Sequence, residues 1–142
     1  MDLKALFAAT KTIAIVGMST RTDRPSYEVA SVMQREGFRI LPVNPAYAGQ
    51  IILGETFVAT LAEVPEPIDI VDCFRRSEDM VEIALAAAAM RPLPNVLWMQ
   101  LGVENEAAAK IARDAGITVV QNQCVETEYL SLKRVNKASH QS

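Results

Sequence analysis

A chain of 142 residues, half of them hydrophobic and 22% charged, suits one globular core and is too apolar for general disorder. Its net charge of −3, with no dense run of Lys and Arg, argues against a nucleic-acid partner, because neutralising a row of phosphates takes a basic face. No segment reaches the ~18–20 apolar residues that span a bilayer, and Met1-Asp2-Leu3-Lys4 lacks a signal peptide's charged start and apolar run, so a cytoplasmic protein without a membrane partner is expected.

In chain order, Ile13-Ala14-Ile15-Val16 is an unbroken apolar run ending at Gly17, the pattern of a parallel strand covered on both faces. Residues 18–24 form a loop. Pro25 then opens a helix with Val29, Val32 and Met33 on its buried stripe, and Gly37 closes it. Phe38-Arg39-Ile40-Leu41-Pro42-Val43 is the second strand, stopped by Asn44-Pro45. Pro42 cannot donate to a ladder, so it belongs at a strand end or a sheet edge. Residues 50–58 make a small extended excursion around Gly54, and 59–64 a short helical turn.

Ile68-Asp69-Ile70-Val71-Asp72-Cys73-Phe74 is the third strand, introduced by Pro65 and Pro67. Ser77 is expected to cap the next helix, with Glu78 and Asp79 near its positive end and Met80, Ile83, Ala84 and Ala87 inward. Val96-Leu97-Trp98-Met99 is the fourth strand. A helix from Glu104 or Asn105 turns Ala108, Ile111, Ala112 and Ala115 inward and ends at Gly116. Ile117-Thr118-Val119-Val120 is the fifth strand, and residues 126–135 are a last helix. The alternation predicts a single α/β domain over residues 1–136, with a polar tail at 137–142. Its core is an open, doubly wound, parallel five-stranded sheet of Rossmann-like type.

Ligands of such sheets sit beyond the carboxyl ends of the strands, where the strand order reverses. After the first strand, Gly17 permits a tight turn and close approach. The amides of Met18 and Ser19 can face a phosphate there, beside the helix start at Pro25. The alternative is an ordinary strand-to-helix turn, since a full G-x-G-x-x-G is absent. After the second strand, Val43, Asn44 and Pro45 stand where NAD enzymes carry an acid for the ribose hydroxyls. Asn44 disfavours NAD and leaves NADP or a 3′-phosphorylated adenosine such as that of coenzyme A, or else it serves only as a turn former. After the third strand, Phe74 can pack on an adenine or a pantetheine arm. Arg75 and Arg76 can pair with phosphate oxygens, or with Glu78, Asp79 or Glu82 instead. Arg24 is a further candidate on the loop, or a solvated charge.

At these segments the sequence resembles the small stand-alone CoA-binding domain proteins of bacteria and archaea. More distantly it resembles the CoA-binding domain of the succinyl-CoA synthetase alpha subunit and related acyl-CoA synthetases. The match rests on Ile15-Val16-Gly17-Met18-Ser19, Arg24-Pro25-Ser26-Tyr27, Leu41-Pro42-Val43-Asn44-Pro45, Ile70-Val71-Asp72-Cys73-Phe74-Arg75-Arg76-Ser77 and Trp98-Met99-Gln100-Leu101-Gly102. The resemblance implies CoA or an acyl-CoA held across the strand ends. Gly17, Met18, Ser19 and Arg24 would lie at the pyrophosphate, Val43, Asn44 and Pro45 at the adenosine, and Phe74 and Arg75 beside the phosphates or ribose.

Catalytic machinery is not legible. The related synthetases work through a phosphorylated histidine outside this domain, and the single histidine here, His140, falls in the terminal tail. Ser19 has no nameable base, and Asp69 and Asp72 point to opposite faces of one strand. Cys73 and Cys124 are in no pair motif; each reads as a small hydrophobe or, alternatively, a reactive thiol. With one His they make no zinc set. The expected function is non-catalytic CoA binding, with a homodimer plausible through exposed helix faces. The rivals are an NADP-binding reductase or redox sensor and an interaction module without a small ligand.

Overall fold

The computed structural model describes residues 2–141, with side chains through residue 135. In chain order the elements are α1 (Leu3–Ala8), β1 (Thr12–Val16), α2 (Pro25–Arg35), β2 (Arg39–Val43), β3 (Ile51–Ile52), β4 (Glu55–Thr56), β5 (Ile70–Cys73), α3 (Met80–Ala88), β6 (Val96–Met99), α4 (Glu106–Asp114), β7 (Thr118–Val120) and α5 (Val125–Gln141). Five of the strands form one parallel sheet in the order β2-β1-β5-β6-β7. The chain winds outward from β1 to β2, then returns past β1 to β5. The strand order therefore reverses between β1 and β5, the position where this architecture leaves a crevice.

The continuous apolar runs are explained by cover on both faces. On one side Val71, Cys73, Leu97 and Met99 meet Met80 and Ala84 of α3 and Ala108 and Ala112 of α4. On the other, Ile13, Ile15, Ile70 and Trp98 meet Val29 and Met33 of α2, Phe7 of α1 and Val125 of α5. Fully burying one Ile or Leu side chain contributes about 1.5–3 kcal/mol, so these two layers supply the drive for folding. Pro42 lies on edge strand β2. Its carbonyl faces outward to accept the Val58 N–H at 3.2 Å, so its missing donor also falls on the outer side and no ladder bond to β1 is lost.

The excursion around Gly54 is a hairpin of β3 and β4, turned at Leu53 and Gly54, both with positive φ (51° and 78°) as a type I′ turn requires. Two expectations change and one element is new. Ser77 caps no helix: residues Ser77–Asp79 form a 3-10 turn, and the Ser77 Oγ accepts the Glu104 N–H at 3.0 Å, joining the loops after β5 and β6. Helix α1 was not foreseen. Asp2 caps it through the Ala5 N–H, and Phe7 stacks within 5.7 Å of Trp98 and 5.3 Å of Tyr129. Helix α5 continues to Gln141 through the segment expected as tail, while the His140 side chain lies outside the described residues. Among the described residues no helix is long and apolar enough to cross a membrane.

Candidate ligand site

Three adjoining cavities lie along the carboxyl ends of the strands. The first, of about 250 Å3, lies over β1 and β2 and touches Gly17, Val43, Pro45, Thr60 and Arg75. The second, about 440 Å3, follows the loop into α2 and touches Gly17, Ser19, Arg24, Ser26, Tyr47 and Phe74. The third, about 830 Å3, extends over β5 and β6 to the start of α5 and touches Phe74, Arg75, Gln100, Val103, Cys124 and Glu126. Gly17 is shared by the first two, Phe74 by the last two and Arg75 by the first and third. They form one crevice whose waist is the turn after β5.

Gly17 fixes that waist. Its φ is +84°, and a Cβ there would meet the Phe74 carbonyl oxygen and lie 2.8 Å from Arg75 Cδ. The glycine is thus required by the close crossing of the chain leaving β5, whereas the sequence suggested an approaching phosphate. Its own N–H is used by the Val43 carbonyl at 2.8 Å. The Ser19 amide, expected to face a phosphate, instead donates to Ser26 Oγ at 3.0 Å, and Ser19 Oγ accepts the Arg21 N–H at 3.0 Å. Ser19 still borders the second cavity. Met18 does not: its side chain is fully buried in the core, and its carbonyl accepts from Asn44 Nδ2 at 3.0 Å.

Asn44 takes the turn-forming role. Its Oδ1 accepts the Ala46 N–H at 2.9 Å while Nδ2 holds Met18, so one side chain braces the loops after β1 and β2. It touches none of the three cavities, whereas its neighbours Val43 and Pro45 do. The two arginines after β5 separate. Arg76 is paired with Glu78 at 2.8 Å and with Asp79 at 3.1 Å, as the alternative reading held. Arg75 makes no ion pair among the described residues and stands at the waist; Arg24, at the start of α2, is likewise unpaired and borders the second cavity. Two guanidinium groups outside any ion pair among the described residues and the first turn of an 11-residue helix give this stretch positive charge, with Asp79 and Glu82 on the adjoining wall.

Residues 11–129 match the model of the CoA-binding domain. The chain belongs to the CoA-binding domain family. It is 36% identical over 132 residues to the uncharacterized protein YneT of Bacillus subtilis (strain 168), covering 93% of this chain and 95% of that one. A solved Thermus thermophilus structure, cell-free ID.343, is 34% identical with a TM-score of 0.88 and covers 93% of this chain and 99% of its own. The dinucleotide-forming acetyl-coenzyme A synthetase 1 of Ca. Korarchaeum cryptofilum shares the fold at 17% identity and a TM-score of 0.69. That match covers 85% of this chain and 28% of the synthetase.

In this CoA-binding domain the third cavity holds residues that sequence reasoning left out. Gln100 is only 5% exposed, and its Oε1 accepts the Val125 N–H at 3.0 Å. Cys124 is half-buried and borders the cavity, while Cys73 is fully buried, its thiol pushed well above the ordinary range by burial and then by the Asp72 charge. Glu126 has a buried Oε1 without a partner among the described residues; burial, and next the Glu28 charge, raise its carboxyl above the usual range. Beneath the crevice Asp72 is wholly buried, with both carboxylate oxygens unpartnered among the described residues. Desolvation pushes its carboxyl well above the usual range, and the adjacent Cys73 amide only partly opposes this. Asp69, by contrast, accepts the Lys11 and Thr12 N–H groups at 2.7 and 3.1 Å at the other end of the sheet, so the two acids do not act together.

Proposed function

We infer that this domain is a non-catalytic cytoplasmic binding protein for CoA or acyl-CoA, akin to the CoA-binding part of succinyl-CoA synthetase. The observation that carries the reading is the continuous crevice over β2, β1, β5 and β6 with the unpaired Arg75 at its waist. Adenosine fits over β1 and β2 beside Val43 and Pro45, where β2 is followed by Asn44 rather than an acid; Asp79, already held by Arg76, and Glu82 border the same cavity from the side of α3. The diphosphate fits between Arg24 and Arg75, and the pantetheine arm crosses Phe74 toward β6. Membership of the CoA-binding domain family supports this assignment. The non-catalytic part rests on the chemistry at hand: Ser19 Oγ is engaged by a backbone amide, and the Asp72 and Asp69 carboxyls lie at opposite ends of β5.

A thermal-shift panel with CoA, acetyl-CoA, NADPH and NAD tests the reading. A ligand at 100 times its dissociation constant adds about 2.7 kcal/mol of stability, and only the CoA forms should do so. Stabilisation by NADPH without CoA would transfer the site to a nicotinamide cofactor.

A further inference from the structure

The cavity over β6 is bordered by a side-chain donor that the fold leaves unused. The Val125 N–H can only be met by an oxygen, so its 3.0 Å contact fixes which end of the Gln100 amide is Oε1. Nε2 is thereby turned to the other side and donates to nothing among the described residues, although Gln100 is 5% exposed and borders the 830 Å3 cavity. Nε2 itself is not fully shut off from solvent, so water can meet it from the cavity, and an occupant that displaces this water without an acceptor loses a hydrogen bond. Glu126 Oε1, on the same cavity, is a buried polar atom without a partner among the described residues. An occupant of this cavity must therefore be polar where it meets Gln100 and must offer an acceptor there.

The geometry points to Gln100 as a residue that selects acylated over free CoA by donating Nε2–H to the carbonyl oxygen of the thioester. This rests on the reading given above, in which the pantetheine arm leaves the waist at Phe74 and ends over β6. A free thiol is a weak acceptor and leaves Nε2 unsatisfied; a thioester carbonyl is a good one. The acyl group then passes Val103 and Leu101, which supply apolar wall, and an amide N–H of the arm supplies the donor that Glu126 Oε1 lacks.

Titration calorimetry on the wild-type protein compares CoA, acetyl-CoA and S-ethyl-CoA, a thioether of similar bulk without the carbonyl. Acetyl-CoA should bind about three- to tenfold more tightly than S-ethyl-CoA, the range one neutral hydrogen bond supplies. Equal affinities would overturn the assignment of Gln100 while leaving CoA binding intact. Failure of all three to bind would defeat the underlying reading, and this one with it. Gln100→Met, close in volume, removes the donor. In that variant acetyl-CoA should fall to the affinity of S-ethyl-CoA, and a preserved preference would also overturn the proposal. Because Gln100→Met also deprives the first turn of α5 of an acceptor, the wild-type comparison of ligands stands as the test independent of its folding.

Discussion

Replacing Asp72 with asparagine removes a titrating group from the centre of the sheet with almost no change of shape. Asp72 lies between Ile15 and Trp98 in register, is 0% exposed, and has no hydrogen-bond partner for either oxygen among the described residues. Its folded-state carboxyl is raised, by burial first, so the folded protein binds that proton more tightly than the unfolded chain does. The group's contribution is then fully present below the unfolded value of about 3.9 and is lost as pH climbs toward the folded one. Across that window the wild type gives up as much as about 1.4 kcal/mol per pH unit from this residue alone. For a domain of this size that is roughly 4 °C of Tm per unit. Asp72→Asn cannot ionise. The variant and the wild type should be nearly equal in stability near pH 4, where both side chains are neutral and desolvated, and the variant should gain steadily as pH rises. Urea denaturation at several pH values from 4 to 8 measures the difference, in which the other acids cancel, including Asp79 and Glu106 with lowered values and Glu126 with a raised one. A difference that does not change with pH would refute the claim that burial raises the Asp72 carboxyl.

Arg75→Ala should weaken CoA binding by about 1.5–3 kcal/mol, the usual size of a hydrogen bond to a charged group. Arg76→Ala, whose guanidinium is already held by Glu78 and Asp79, should leave affinity within about twofold; equal losses in calorimetry would contradict the separation of the two. Gly17→Ala should lower stability by more than the roughly 1–2 kcal/mol that a left-handed backbone costs an L-residue, because its Cβ also meets the Phe74 carbonyl. An unchanged urea midpoint would show that the crossing of β1 and β5 is looser than described.

The sheet was legible because parallel strands covered on both faces leave unbroken apolar runs, and Val96–Met99 is the clearest case. The position of the crevice followed from topology alone. What the sequence could not divide was the pair Arg75 and Arg76, since the choice between ligand and carboxylate depends on which side of the turn each side chain leaves. Asn44 was left open for the same reason: its amide can serve a turn or a ligand, and only the Met18 carbonyl 3.0 Å away decides. The Asp72 signal was present, as two-residue alternation puts it on the face of Ile70, but a sequence does not tell how deep that face is covered. Gln100, Cys124 and Glu126 come together through contacts with no local pattern, the Val125 N–H reaching back to Gln100 after the chain has passed through α4 and β7. Helix α1 escaped because its six residues carry too few turns for a periodic stripe.

Crystals grown with saturating CoA test the central claim most directly. Density should show adenosine over the ends of β1 and β2, the diphosphate between Arg24 and Arg75, and the arm running past Phe74 to Gln100. A vacant crevice under those conditions, or CoA bound elsewhere on the molecule, would contradict the account.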